Sequence, residues 1–188
     1  MVYFIADTHF GHENIVKLCN RPFSSLEEME QTIINNWNKK VTNADMVYIV
    51  GDLFWKSIDA GELLRKLKGK KILLEGNHDG VWLKKTDTYK YFVEIAPLIN
   101  TYIGDKAVTI CHYPLIEWKG SRKVGSRKQS YLIHGHIHNK VKPEYSSLFN
   151  NDHALNAGVD INNFTPVTLE ELIKNNIEFK KQIGEMRL

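Results

Sequence analysis

Two cysteines among 188 residues, Cys19 and Cys111, are too few for a disulfide framework. No apolar run approaches the ~20 residues that a membrane-spanning helix needs. The N-terminal run Val2 to Ala6 is too short for a signal peptide and meets Asp7 at once. Charge of one sign is not in excess either: the formal net charge of +3 does not by itself call for a nucleic-acid partner. Aromatic and basic residues do not alternate in a way that would stack single strands, which argues against a nuclease. Internal repeats, low-complexity tracts and linkers are missing too. These absences disfavour a disulfide-stapled secreted protein, a membrane protein and a repeat array. The expectation is a cytoplasmic chain folding as a single domain over residues 1–188, with 43% apolar and 25% charged residues. Cys111 adjoins His112 and has the chemistry of a metal ligand. Neighbouring strand residues point to opposite faces, however, so it reads as a buried apolar residue.

What the chain does have is histidine in particular places. Of eight histidines, six fall in short segments mixed with Asp, Asn and Gly, each where a strand-like apolar run stops or just beyond it. The segments are Asp7-Thr8-His9 (with His12 just after), Gly51-Asp52, Gly76-Asn77-His78-Asp79, His112 and Gly135-His136-Ile137-His138. Imidazole is the commonest metal ligand at neutral pH, and Asp and Asn add hard oxygen ligands. Five such segments in one chain point to two metal ions.

The coarse pattern agrees. Strands are expected at Met1–Ala6, Met46–Val50 and Lys71–Leu74, with helices at His12–Asn20, from Ser25 onward, around Ile58–Leu67 and near Val81–Lys85. Ser25 with Glu28, and Thr168 with Glu171, have capping-box spacing. The second half is richer in strands, at about Tyr91–Ile95, Asn100–Gly104, Ala107–Cys111, Tyr131–Ile133 and Ala154–Asn156, with Gly104-Asp105 as a hairpin turn. The tail Glu178–Leu188 reads as a terminal strand or a loose extension. Alternating strands and helices suggest a partly parallel sheet, and the polar segments stand at the carboxyl ends of strands, where open α/β sheets bind ligands.

Two divalent ions ~3.5–4 Å apart need an anion between them, terminal ligands on each side and room for a water. Asp52, after a tight glycine turn, suits the bridge. Asp7 and His9, and His136 and His138, are i, i+2 pairs that would share a face if extended. Asn77 and His112 complete the set. A water between the ions would lose its proton near neutral pH and attack phosphorus in line. His78, beside Asn77, is placed to neutralise a phosphoryl oxygen or protonate a leaving group.

These motifs, in this order, resemble the calcineurin-like metallophosphoesterases. Within that family the extended Asp7–His12 segment, Arg21-Pro22-Phe23 and Asn156-x-Gly158-Val159-Asp160 are similar to the small bacterial and phage phosphoesterases. The resemblance implies a four-layer α/β/β/α sandwich with mixed sheets. It assigns Asp7, His9 and His138 to one metal and Asn77, His112 and His136 to the other, with Asp52 bridging and His78 catalytic. It implies Mn, Fe, Zn or Ni as cofactor and a phosphate ester, such as a nucleotide or a nucleic acid end, as substrate. A phosphodiesterase is the first expectation and a phosphomonoesterase or nuclease the alternative. A protein-interaction scaffold on the same fold is the non-enzymatic rival, disfavoured by the intact ligand set.

Other residues carry two readings each. His12 is either a substrate contact or a helix cap, and Arg21 either a phosphate contact or a salt-bridge partner. His134, two residues before His136 and on the same face of a strand, either supports the ligands from behind or is structural, with the structural reading preferred, and His153 reads as a surface or strand histidine. The basic loop Glu117–Ser130 either steers an anionic substrate or only aids solubility. Trp55, Trp82 and Trp118 are candidates for an exposed interface or a cleft wall. A homodimer is the default expectation for a soluble oligomer, without any interface signature.

Overall fold

In the computed structural model, which describes residues 1–55, 59–85, 87–123, 125 and 129–186, the strands sort their side chains between two cores as the pleat requires. One sheet holds β1 (Val2–Ile5), β2 (Met46–Ile49), β3 (Lys70–Leu74) and β4 (Phe92–Ala96), all parallel and in that order. The second holds β5 (Leu98–Ile103), β6 (Lys106–Cys111), β7 (Tyr131–His134) and β8 (Ala154–Asn156), with β5 antiparallel to β6 and the rest parallel. Six helices follow in chain order: α1 (Ile15–Leu18), α2 (Leu26–Lys40), α3 (Ala60–Lys66), α4 (Asp79–Lys85), α5 (Ser146–Phe149) and α6 (Leu169–Met186).

Tyr3, Ile5, Val47, Ile49 and Leu73 turn outward from the first sheet, onto Met29, Ile33 and Trp37 of α2, Leu63 and Leu64 of α3 and Trp82 of α4. Phe4, Ile72 and Leu74 turn the other way, with Ala6 and Val50 beyond their strand ends, and meet Val108, Ile110, Ile133 and Leu155 of the second sheet. The outer face of that sheet, with Leu132 and Ala154, is covered by Trp118, Ile137 and Leu148. The result is the expected α/β/β/α sandwich, with one sheet parallel and the other mixed.

Both capping boxes form, the first with a shift. Ser25 Oγ accepts from the Glu28 amide (3.2 Å), but the Glu28 carboxylate reaches back to Ser24 rather than to Ser25. At α6 the exchange is reciprocal: Thr168 Oγ1 accepts from the Glu171 amide at 3.3 Å, and Glu171 accepts from the Thr168 amide at 2.8 Å.

Three expectations change. The expected helix His12–Asn20 shrinks to Ile15–Leu18, because the residues before it belong to the loop that leaves β1. The helix expected from Ile58 begins at Ala60, capped by Asp59; Ile58 itself lies outside the described residues. Over its described residues the tail is neither a strand nor loose: α6 continues through Glu178 to Met186, and Arg187 and Leu188 lie outside the described residues. It stays helical because its inner face is anchored. Leu169, Leu172 and Ile183 are buried, Asn176 bonds the backbone of Asn156, and Lys180 donates to the carbonyls of Asn151 and Ala154. No helix among the described residues is long and apolar enough to cross a membrane.

Candidate metal centre

The five histidine-bearing or acidic segments leave the carboxyl ends of β1, β2, β3, β6 and β7, so both sheets contribute to one place. Cross-sheet bonds hold them together. The carboxylate of Asp7, after β1, accepts the backbone N–H of His136, after β7, at 3.0–3.1 Å. The ring of His112, after β6, donates from Nδ1 to the carbonyl of Val50, after β2, at 2.9 Å. A carbonyl can only accept, so Nδ1 keeps its proton and Nε2 faces the site.

Around these anchors the expected ligands converge. Asp52 Oδ2 lies 3.6 Å from His9 Nε2, 3.5 Å from His112 Nε2 and 3.8 Å from His78 Nε2. Asn77 Oδ1 lies 3.2 Å from His112 Nε2 and 3.0 Å from His136 Nδ1. Ligand atoms of Asp7, His9 and His138 fall within 4.8 Å of one another, as do those of Asp7, Asp52 and His112. Each of the seven therefore lies within a few ångströms of another, with Asp52 between the two groups.

The backbone reaches this arrangement differently from the extended i, i+2 pairs expected. Asp7, His9, Asp52, His136 and His138 all have φ between 52° and 70°. That left-handed region is uncommon for residues with a Cβ, and its use by five of the seven marks strain concentrated at the site. Gly51 (φ 82°) and Gly76 let the loops close: a Cβ on Gly51 would strike the His112 ring, and one on Gly76 would strike the Asp52 carboxylate.

Two carboxylates whose roles were not legible beforehand set the geometry. Asp79 is fully buried and accepts four bonds, from the amides of Asp52 (2.8 Å), Leu53 (3.0 Å) and Gly76 (2.8 Å) and from the indole of Trp82 (2.9 Å). It clamps the loops after β2 and β3 to each other. Asp160 accepts from Arg21 Nε (2.8 Å) and from His138 Nδ1 (3.0 Å), which aims His138 Nε2 away from it. Both stood in quoted motifs, Gly76–Asp79 and Asn156–Asp160, so their positions were visible though their partners were not.

Arg21 does not meet the expectation of a substrate contact. Its side chain is 0% exposed, and it donates to Asp160, to the Asp7 carbonyl (2.7 Å) and to the Thr8 carbonyl (3.0 Å). The guanidinium fork is spent on holding the first ligand loop.

The charges explain why this cluster suits cations. Burial pushes the Asp7 carboxyl up to about 6. Burial also opposes charge on His112 and His138, but hydrogen bonds with Asp52 and Asp160 respectively outweigh it and raise them to about 9 and about 10. Protons on imidazoles thus supply the positive charge that three buried carboxylates demand. Divalent ions would replace those protons, so metal affinity rises with pH. His9 gives the sharper test of fit. Burial lowers its pKa to about 2, and both of its ring nitrogens are buried without a hydrogen-bond partner. A buried polar atom left unpaired is costly, and a cation beside Asp7 and His138 would satisfy it. Cys19 also comes within 4.8 Å of His138 and Asp160. Arg21 already holds that carboxylate.

His12 joins the site wall: its ring packs edge-on against Trp55 at 4.0 Å and lies 5.6 Å from His9. Trp55 also backs His78, with ring centroids 4.5 Å apart. The other two candidate tryptophans are not exposed. Trp82 is in the helix-side core, and Trp118 is buried on the outer face. Cys111 is buried as read. His153 stacks on Tyr131 at 4.4 Å, away from the cluster. In the basic loop, Arg122 pairs with Glu117 at 2.6 Å, while Lys119 and Lys123 line a cavity of about 400 Å³ against β5 and β6. Arg127 and Lys128 lie outside the described residues.

His134 is structural: 1% exposed, with Nδ1 bonded to the Gly135 carbonyl at 2.9 Å. Burial lowers its pKa to about 4. A histidine held neutral in the fold contributes stability above its ordinary pKa of about 6.5, and this is lost as pH falls toward 4. The loss over that span is on the order of 3 kcal/mol. Urea melts of the metal-free protein at pH 7 and pH 4.5 should show a smaller drop for His134→Leu than for wild type. Equal drops would remove His134 as the source.

A constellation of Asp, His and Asn at the carboxyl ends of parallel strands in a two-sheet sandwich defines a metallohydrolase-like class. Within it, this chain belongs to the calcineurin-like phosphoesterase family, whose sequence profile matches residues 1–181. It is similar to protein MJ1445 of Methanocaldococcus jannaschii, with 36% identity over 176 residues, 92% of this chain and 89% of that protein. The Gene 66 protein of Mycobacterium phage L5 is 27% identical over 165 residues, 74% of this chain and 78% of its own. Among solved structures, AQ665 of Aquifex aeolicus, described as a protein of unknown function, superposes with a TM-score of 0.70 at 31% identity. The match covers 93% of this chain and 98% of that one.

Proposed function

We propose that the protein is a binuclear metal-dependent phosphodiesterase, with Asp7, His9 and His138 holding one ion, Asn77, His112 and His136 the other, and Asp52 between them. The observation that carries the reading is His9, a buried imidazole with two unpartnered nitrogens wedged between carboxylates. When bound, the ions would acidify a water and polarise the phosphoryl oxygens. The chain's own residues do the rest. Asp52 would keep two cations close by offsetting their repulsion. Asp160 and Val50 O fix which nitrogens of His138 and His112 face the site. The left-handed loops hold the ligands in place before substrate arrives, so little reorganisation is left for the reaction.

His78 is the proposed acid. Its side chain is 31% exposed, against 2–3% for Asp52 and His9, so it can reach a bound ester. Its backbone N–H is tied to Asp52 Oδ1 at 2.9 Å and its ring is backed by Trp55. From there Nε2 can hand a proton to the departing ester oxygen. A diester with a poor leaving group gains most from that proton, which is why the diester reading is preferred.

The test is hydrolysis of bis-p-nitrophenyl phosphate beside p-nitrophenyl phosphate by chelator-stripped protein, with and without Mn²⁺, then with Fe, Zn or Ni salts. Mn-dependent turnover favouring the diester supports the proposal. Preference for the monoester would make the protein a phosphatase, and no turnover of either would sink the enzymatic reading. Against a diester with an alkoxide leaving group, such as a dinucleotide, His78→Ala should lower kcat about a hundredfold or more while leaving metal content unchanged; an unaltered kcat on that substrate removes His78 from the chemistry.

A further inference from the structure

Tyr113 follows His112 and has no part in the roles above. Its ring centroid is 5.2 Å from that of His112 and 4.9 Å from that of His136, yet the residue is 45% exposed. Three residues on, Ile116 is 88% exposed. This is not slack in a loose loop, because both ends of the segment are fixed. His112 is bonded to Val50, Leu115 packs on the outer core, and Trp118 is buried with its indole donating to the Ser130 carbonyl at 3.2 Å. Pro114 stiffens the backbone between them. The site's ring contacts fall into two groups, with Asp52 reaching both. His9, His12, Trp55, His78 and His138 form one; Tyr113, His112 and His136 form the other. A rigidly presented aromatic ring therefore stands next to one proposed ion position, in the group that lacks the proposed acid.

We infer that Tyr113 is the shelf on which a planar group of the substrate stacks, so that the substrate is a nucleotide ester rather than a small alkyl phosphodiester. The inference rests on the phosphodiesterase reading, which puts the phosphate between the two ring groups and one of its substituents over Tyr113. A nucleobase gains from that contact through its π-face, whatever its hydrogen-bonding edge. A flexible aliphatic group gains no stacking there.

The test compares two probes that share a sugar phosphate and differ only in the base: adenosine 5′-monophosphate and ribose 5-phosphate, titrated calorimetrically into Mn²⁺-loaded protein. Wild type should bind the nucleotide about tenfold more tightly. Tyr113→Phe should keep that ratio. Tyr113→Ala should erase it while leaving the ribose 5-phosphate affinity and the Mn²⁺ stoichiometry as in wild type. Equal affinities in wild type, no binding of either probe, or a ratio that survives Tyr113→Ala would each overturn the inference. The wild-type comparison stands even if a variant does not fold. Failure of the phosphodiesterase reading itself would appear separately, as absent Mn-dependent turnover of bis-p-nitrophenyl phosphate.

Discussion

Asp52→Asn is expected to abolish the paired-metal state and lower Mn-dependent turnover about a thousandfold, the equivalent of roughly 4 kcal/mol of lost charge stabilisation. The residue volume barely changes; what disappears is, among the described residues, the one carboxylate within 4 Å of imidazoles from both ring groups. Two cations close together repel strongly, and a neutral amide between them does little to offset it. Calorimetric titration with Mn²⁺ should therefore show two sites in wild type and one or none in the variant.

The same change should also weaken the metal-free fold. Burial opposes charge on Asp52, but the His112 hydrogen bond and the His78 amide outweigh it and hold its pKa at about 2. A carboxylate depressed in the fold contributes stability above its ordinary pKa of about 3.8 and loses it as pH falls toward 2. At pH 7 that contribution is fully present, about 2 kcal/mol. Metal-free Asp52→Asn should melt earlier at pH 7, with a gap that narrows toward pH 2. Two bound Mn²⁺ ions in the variant would end the bridging assignment.

The contrast between what was legible and what was not follows from the range of the interactions. Strand ends, capping boxes and the Asp7–His9 or His136–His138 spacing are local, and the order of the motifs points to the candidate ligand set before any coordinate. The backbone at those ligands was misjudged, because left-handed φ at Asp7 or His138 is imposed by packing, not by the intrinsic preference of Asp or His. Arg21 carries both a phosphate-contact and a salt-bridge reading in the sequence, and the choice between them waits on a partner 139 positions away, Asp160, that closes on it. The helical state of the tail's described part is not legible because it depends on distant partners: Lys180, a charge in the tail, is drawn inward by the carbonyls of Ala154 in β8 and Asn151 in the turn before it.

Arg21 is where that long-range contact has its largest consequence. Arg21→Met keeps much of the volume but leaves Asp160 buried with, among the described residues, His138 as its only charged hydrogen-bonding partner, and it strips the carbonyls of Asp7 and Thr8 of a donor. Removing one partner of a buried ion pair costs about 3–5 kcal/mol, because the remaining charge is stranded. The Asp160 carboxyl is held below its ordinary pKa: burial opposes this, but His138 and Arg21 outweigh it. The pair's contribution is thus present at neutral pH and fades as pH falls below about 3.8. Urea melts at pH 7 should place metal-free Arg21→Met several kcal/mol below wild type. Asp160→Asn added to it should cost far less than Asp160→Asn alone, since the two side chains act through one contact. The loops that Arg21 ties down carry Asp7, His9 and, through Asp160, His138. The variant should therefore also bind Mn²⁺ more weakly at the position those three share, while the other position, where Asp79 holds the loop of Asn77 and Val50 holds His112, is less affected. Additive costs for the two substitutions, or equal weakening at both positions, would show that Arg21 is not the strut between the first ligand loop and His138.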